Sequence, residues 1–230
     1  MIPVPIADGT LNQALPQQVL EVTRELSVFL VENAKSARAF LKEIKHPKPI
    51  AELTIIEIGH HTDPAKIIQY VNPLLQGNDV GIISEAGCPG IADPGAQIVA
   101  EAQDRGISVV PLVGPCSIIL ALMASGLDGQ HFRFCGYLPI KEPQRSKTIR
   151  ALEKQSMQGA GETQLFIETP YRNTGLLRDL VKYFAPNTRI LLAVDITGSA
   201  QSIRTMKASE WKKIQDLPKL PTIFGLLASR

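Results

Sequence analysis

The segment from Val80 to Gly95 constrains the fold of this 230-residue sequence more than any other part. It opens with a short apolar run, Val80 to Ile83, of the length typical of a buried parallel strand. Three glycines, two prolines and two carboxylates follow directly, and neither a helix nor a strand can continue through them. Asp93 and Pro94 then have the pattern of a helix N-cap and a first helical residue. The segment therefore predicts a strand, a long rigid loop and a helix.

A loop of this kind favours a ligand site. In an open α/β sheet, ligands bind beyond the carboxyl ends of the strands, where this loop is expected to lie. Glycine lets the backbone approach a ligand, and proline lowers the entropy cost of ordering the loop. The alternative is an ordinary strand–helix connection, but those usually contain about 2–6 residues, and this one is about twice as long. The loop has neither the P-loop lysine nor the G-x-G-x-x-G spacing, which disfavours a nucleoside triphosphate or NAD.

Apolar runs and helical periodicities alternate strictly through the first half of the chain. The predicted strands are 2–7, 27–32, 53–58, 80–83 and 107–112, and the predicted helices are 15–26, 34–44, 64–76, 94–105 and 118–124. Asn33 and Asp63 have the pattern of helix N-caps. Such alternation is typical of a mostly parallel sheet with helices on both faces.

The second half is less regular. Its predicted strands are 131–138, 164–169, 189–195, 201–206 and 222–228, and its predicted helices are 146–157, 174–184 and 208–214. The first of these strands alternates in the manner of an antiparallel or mixed sheet. We therefore predict two α/β domains, an N-terminal one with a mostly parallel sheet over 1–115 and a C-terminal one with a mixed sheet over 116–230.

Composition limits the classes of protein to consider. A hydrophobic content of 44% and a charged content of 20% are those of a soluble globular protein, and a net charge of +2 does not by itself indicate nucleic acid. No apolar run is long enough for a membrane span, and the N-terminus lacks signal-peptide features, so we expect a cytoplasmic protein. Cys88, Cys116 and Cys135 form no C-x-x-C pair, which argues against disulfides and zinc.

Four motifs in order along the chain carry a resemblance to a known family. They are S-E-A-G-C-P-G-I-A-D-P-G from Ser84, P-L-V-G-P-C-S from Pro111, A-S-G-L from Ala124 with F-x-F-x-G-Y-L-P from Phe132, and E-T-P-Y-R from Glu168. Together they resemble the class III, tetrapyrrole-methylase-like methyltransferases. Within that family the chain is most similar to the ribosomal RNA small subunit methyltransferase I group, which methylates the 2′-hydroxyl of a cytidine in 16S rRNA.

The resemblance implies S-adenosylmethionine bound in a cleft between two α/β domains, and a homodimer. The cofactor-binding residues that it implies are Pro5, Ser84, Glu85, Ala86, Gly87, Gly90, Ile91, Cys116, Ser117, Glu168 and Thr169. A carboxylate such as Glu85 suits the hydroxyl or amino groups of the donor, although capping of its own loop is an equal alternative. The family's E-D-T-R is E-N-A-K-S-A-R here, and its H-E-H-N-E is G-H-H-T-D.

A ribose hydroxyl is a weak acid, so its methylation needs a base. His61 and Lys35, on two of the predicted carboxyl-end loops, are the candidate catalytic residues. The alternative for each is a solvated surface side chain. His60 and His61 have no third ligand at metal spacing, so no metal is predicted.

Basic residues give a separate indication of an RNA partner. Five of them lie in or beside the helix predicted over 146–157: Lys141, Arg145, Lys147, Arg150 and Lys154. A solvated helix face is the alternative. The hypothesis is thus a methyltransferase acting on rRNA in the small ribosomal subunit; methylation of a tetrapyrrole-like small molecule, and a non-catalytic relative that only binds the donor, remain open.

Overall fold

The computed structural model describes residues 1–59, 63–159 and 161–229. The chain divides into two compact units, Met1–Cys116 and Ser117–Arg230, each with its own sheet. The division falls one residue after the predicted domain boundary. That each unit folds as an independent domain stays a prediction.

The first unit contains a parallel sheet of three strands. Strands β1 (Val28–Val31), β2 (Thr54–Glu57) and β3 (Val80–Ile83) lie in the order β2-β1-β3. Val28 pairs with Thr54 on one side and with Val80 on the other, so all three strands end at one edge of the sheet. The central strand is buried on both faces, which explains its continuous apolar sequence.

Helices cover both faces of this sheet, as the alternation predicts. They are α1 (Leu11–Ala14), α2 (Gln17–Glu25), α3 (Ala34–Glu43), α4 (Ile67–Leu75) and α5 (Ala96–Asp104). One hydrophobic cluster joins α2 and α3 to Phe29 and Val31, and another joins α4 and α5 to Leu30. Asn33 caps α3 as predicted, because its Oδ1 accepts hydrogen bonds from the backbone N of Lys35 and Ser36, at 2.9 and 3.2 Å.

Two predicted strands of the first unit do not form. Residues 2–7 make only two isolated bridges, Ile2 to Ile83 and Val4 to Gly87, because Pro3 and Pro5 have no N–H to donate. Residues 107–112, all of them described, form no strand and are joined to Met1 by two hydrogen bonds only. The sheet therefore has three strands instead of the predicted five, and Pro3 and Pro5 remove hydrogen-bond donors from the N-terminal segment beside it.

Helix starts also differ from the predictions. The helix predicted over 15–26 begins two residues late, as α2 at Gln17 with Pro16 as its N-cap, and the short helix α1 before it was not predicted. Asp93 is not the cap of α5: that helix begins at Ala96 with Gly95 as its N-cap and no side-chain cap. Gly95 has a φ of 121°, and this backbone conformation separates Asp93 and Pro94 from the first helical turn.

The second unit contains the predicted mixed sheet. Its strands are β4 (Phe132–Tyr137), β5 (Thr163–Glu168), β6 (Arg189–Val194), β7 (Ser202–Lys207) and β8 (Thr222–Leu227). Their order is β4-β5-β8-β6-β7, in which only β4 and β5 are parallel. The predicted α/β architecture, with one parallel and one mixed sheet, is thereby confirmed.

Three helices pack with this sheet: α6 (Ser117–Ser125), α7 (Gln144–Ser156) and α8 (Asn173–Tyr183). Buried side chains of α7 and α8 pack in one hydrophobic cluster with Phe166 and Phe224, whose rings stack with 6.0 Å between their centroids. The helix predicted over 208–214 is only a single 3₁₀ turn, Ala208–Glu210. None of the helices in the described part of the chain is long and apolar enough to cross a membrane.

Candidate active site

The loop after β3 is fixed by its own backbone. Gly87 exchanges two hydrogen bonds with Val4, at 2.9 and 3.1 Å. Gly87 has a φ of +72°, and a Cβ there would lie 3.2 Å from the carbonyl oxygen of Pro115. The hydroxyl of Ser84, which is buried, donates to the carbonyl of Ala86 at 3.3 Å. A glycine is therefore required where the loop passes between two other backbone segments.

A buried carboxylate that the sequence analysis did not single out holds the start of this loop. Glu32 follows β1 and is 6% exposed. Its Oε2 accepts a hydrogen bond from the backbone N of Glu85 at 2.9 Å, and its own N donates to the carbonyl of Ile83 at 3.0 Å. The signal in the sequence is a carboxylate placed directly after a fully apolar strand. Glu32 thus ties the carboxyl end of β1 to that of β3.

The turn at Cys116 packs against the same loop. The thiol of Cys88 contacts the carbonyl oxygens of Pro115 at 3.3 Å and Gly114 at 3.6 Å. Burial, with the charges of Cys116 and Asp93 adding to it, raises the pKa of the Cys88 thiol. The thiol therefore stays protonated and is a packing group in this loop rather than a nucleophile.

An open pocket lies at the carboxyl edge of β1 and β3. It is lined by residues of three segments, namely 4–9 of the N-terminal segment, Ser36, Ala39, Phe40 and Glu43 of α3, and 83–85 at the end of β3. Three predicted cofactor-binding residues, Pro5, Ser84 and Glu85, line it. Its walls combine apolar side chains with carboxylates, a combination suited to a nucleoside with hydroxyl and amino groups.

The other predicted site residues of the first unit lie near this pocket in sequence but do not line it. Ala86 and Ile91 are exposed on the loop, and Gly90 is half-buried with a φ of +82°. Lys35 is exposed in the first turn of α3, where its neighbour Ser36 lines the pocket. His61 lies outside the described residues. Cys116 ends the first unit, and Ser117 begins α6.

In the second unit, Glu168 ends β5 at the centre of a charged network. Its side chain is 1% exposed, and its Oε1 accepts hydrogen bonds from Arg172 Nε at 3.0 Å, Arg172 Nη2 at 2.7 Å and Thr169 N at 2.7 Å. Its Oε2 accepts from Arg145 Nη1 at 3.4 Å, and Arg145 Nε donates to Asp179 at 2.5 Å. Both oxygens of Glu168 are therefore engaged within the fold.

The electrostatics of Glu168 favour the carboxylate. Burial alone would raise its pKa, but the hydrogen bonds from Arg172 and from Thr169 N, together with the Arg172 charge, outweigh burial and lower the pKa below its usual value. The direct role of this network is to fix the turn Pro170–Arg172 against β5. Binding of a ligand by Glu168 and Thr169 stays a prediction.

The predicted group of five basic residues in and beside α7 needs one correction. Arg145 is buried and belongs to the Glu168 network, because it lies on the inner side of the helix. The other members, Lys141, Lys147, Arg150 and Lys154, are exposed. No cluster of three or more His, Cys, Asp or Glu that could hold a metal occurs in residues 1–59, 63–159 or 161–229.

Comparison with known proteins assigns the family. The profile of the Tetrapyrrole (Corrin/Porphyrin) Methylases matches residues 11–212. The chain belongs to the tetrapyrrole methylase family. Ribosomal RNA small subunit methyltransferase I of Vibrio cholerae is 31% identical to it over 91% of this chain and 68% of its own length. The protein of the same name from Pseudomonas aeruginosa is 31% identical over 88% of this chain and 68% of its own length.

Solved structures of this methylase fold agree with the architecture. The methyltransferase CobJ has a TM-score of 0.60 at 16% identity, covering 94% of this chain and 89% of its own. Uroporphyrin-III-C-methyltransferase from Thermus thermophilus has a TM-score of 0.56 at 16% identity, covering 98% and 91%. This tetrapyrrole methylase is an S-adenosylmethionine-dependent methyltransferase. The mixed polar and apolar pocket at the carboxyl edge of β1 and β3 fits such a donor.

Proposed function

We propose that this methyltransferase modifies RNA of the small ribosomal subunit, at a ribose 2′-hydroxyl. The observation that carries the proposal is the likeness to two ribosomal RNA small subunit methyltransferases I across about nine-tenths of the chain. The four ordered motifs of the sequence are part of the same likeness. A homodimer and a cytoplasmic location stay predictions.

We propose that the donor binds in the pocket at the carboxyl edge of β1 and β3. The half-buried Pro5 and Ile6 offer apolar surface to an adenine ring, and the carboxylates of Glu43 and Glu85 accept hydrogen bonds from hydroxyl or ammonium groups. When bound, S-adenosylmethionine supplies an electrophilic methyl group on a sulfonium. The remaining predicted contacts are Ala86, Gly87, Gly90, Ile91, Cys116, Ser117, Glu168 and Thr169.

The chain must also position and deprotonate the acceptor. Positioning a nucleophile in line with the methyl group is worth several kcal/mol, on the order of 7–11 for well-oriented reactions. Lys35 and His61 are the proposed bases, since each follows the carboxyl end of a parallel strand by a few residues.

Methylation of isolated 30S subunits with radiolabelled donor tests the function. We expect label in 16S rRNA and, after digestion, one 2′-O-methylated nucleoside identified by mass spectrometry. Label confined to an added tetrapyrrole would assign the enzyme to a small-molecule acceptor instead. Binding of donor without transfer to either acceptor would identify a non-catalytic relative.

A blocked pocket tests the placement of the donor. Ala39 is exposed and lines the pocket, so Ala39→Trp should fill it and lower the affinity for S-adenosylmethionine at least tenfold by calorimetry. Lys42→Trp, on the same helix but outside the pocket lining, is the matched control and should retain the affinity. Equal affinities of the two variants would place the donor elsewhere.

A further inference from the structure

Two exposed tyrosines lie at the carboxyl edge of the parallel pair β4–β5. Tyr137 is the last residue of β4 and is 62% exposed, and Tyr171, in the turn after β5, is 80% exposed. Strands β4 and β5 run parallel, with Tyr137 opposite Ile167, so both rings belong to one edge of the sheet. Neither hydroxyl has a hydrogen-bond partner within the described part of the chain. The fold therefore does not use the polar ends of these rings.

Two cations accompany the rings. The Lys219 ammonium lies 5.1 Å from the centroid of the Tyr171 ring. The guanidinium of Arg172 is held at 2.7 and 3.0 Å by the buried Glu168, while 38% of its side chain remains exposed. The pKa of Arg172 is raised, mainly by its hydrogen bond to Glu168, with a smaller contribution from Tyr137. A fixed positive charge thus stands beside the exposed aromatic surface.

We propose that Tyr137 and Tyr171 form a stacking platform for unpaired RNA bases, with Arg172 and Lys219 facing the phosphates. The inference rests on the proposed RNA substrate and adds the surface that receives it. Single-stranded RNA is recognised by aromatic rings that stack on splayed bases and by cations along the backbone. The exposed rings and the anchored Arg172 together give this edge both an aromatic surface and a fixed positive charge.

The nature of the contact determines which substitutions are informative. Stacking needs the ring and not the hydroxyl, so Tyr171→Phe and Tyr137→Phe should retain RNA affinity. Removal of a ring that stacks on a base weakens binding by about 5- to 150-fold. Phe132 offers a matched control: it is 40% exposed and begins the same strand that Tyr137 ends.

The test is fluorescence anisotropy with a labelled single-stranded oligoribonucleotide of the 16S sequence, in the presence of S-adenosylmethionine. We expect Tyr171→Ala and Tyr137→Ala to raise the Kd at least fivefold, and Phe132→Ala and both Tyr→Phe variants to leave it within twofold. Donor affinity should be unchanged in all five, and all five should remain folded at the assay temperature. Unchanged RNA affinity of both Tyr→Ala variants, or equal losses in the Phe and Ala variants, would overturn the platform.

A second measurement separates this inference from the proposed function. If the wild-type enzyme methylates 30S subunits and both Tyr→Ala variants do so with the same KM, the platform is wrong and the function stands. If the wild-type enzyme binds the donor but neither binds nor methylates RNA, both are wrong. Lys219→Ala should reduce the slope of log Kd against log salt by about 0.7, the contribution of one phosphate contact on a single strand.

Discussion

The two units hold their candidate site residues by different means. In the first unit, backbone bonds and close glycine packing fix the loop after β3, as at Gly87 against Val4 and Pro115. In the second unit, a buried charge network around Glu168 fixes the end of β5. A loop fixed by backbone contacts is sensitive to added volume, whereas a charge network is sensitive to the loss of one partner. The two halves should therefore fail under different substitutions.

The largest effect is expected for Glu168→Ala. Its loss leaves the guanidinium groups of Arg145 and Arg172 without their shared carboxylate, and breaking a buried pair costs about 3–5 kcal/mol. Arg145 retains its ion pair with Asp179. We therefore expect the free energy of unfolding, measured with denaturant, to fall by about 3 kcal/mol, the lower end of that range.

Asp216→Ala is the matched control for that experiment. Asp216 pairs with Arg178, but its side chain is 85% exposed, so the free energy of unfolding should fall by at most about 1 kcal/mol. Similar decreases in the free energy of unfolding for Glu168→Ala and Asp216→Ala would show that the buried network contributes little to stability.

A smaller effect is expected from adding one methyl group at Gly114. A Cβ there would lie 2.1 Å from the Cβ of Pro3, and both backbones are constrained. Overpacking of this kind costs about 1–3 kcal/mol, so Gly114→Ala should lower the midpoint of chemical unfolding. Gly129→Ala, where nothing lies within 4 Å of the added Cβ, should change stability by less than about 0.5 kcal/mol. Equal midpoints for the two variants would contradict close packing in the first unit.

The smallest effect concerns pH. The folded-state pKa of Glu168 lies below its ordinary value of 4.5, so the folded protein holds the carboxylate more strongly than the unfolded chain does. This stabilisation is present above pH 4.5 and is lost as the pH falls through the folded pKa. Relative to Glu168→Gln, which does not titrate there, the wild type should lose stability more steeply below pH 4.5, measured by thermal melts in steps of pH. Parallel curves for the two proteins would refute the depressed pKa.

The loop at Ser84 shows how far sequence reasoning reaches. Glycine and proline have strong local effects, so the strand β3, the loop and the α5 region follow from a short segment. The helix cap at Asn33 follows for the same reason, since its partners are two and three residues away. The prediction of Asp93 as the cap was wrong because Gly95, with a φ of 121°, is the N-cap, and the Asp-Pro pattern does not reveal that conformation.

Contacts distant in sequence were harder to predict. Arg145 has the spacing of a surface strip on α7, yet it is buried against Asp179 and Glu168, 34 and 23 residues away. The tie from Glu32 to Glu85 spans 53 residues, and the sequence shows only a carboxylate after an apolar strand. Residues 107–112 have a strand pattern, but whether they pair depends on donors that the proline-containing N-terminal segment lacks.

The sequence alone determined the α/β class and the parallel and mixed sheets, because periodicity, glycines and prolines act over a few residues. Its four ordered motifs carried the resemblance that implied the family and its methyl donor. Only the tertiary structure decided that Pro5, Ser84 and Glu85 line one pocket and that Arg145 lies inside the fold. It also decided that Tyr137 and Tyr171 share an edge, because strand register and burial depend on segments that meet only after the chain has folded.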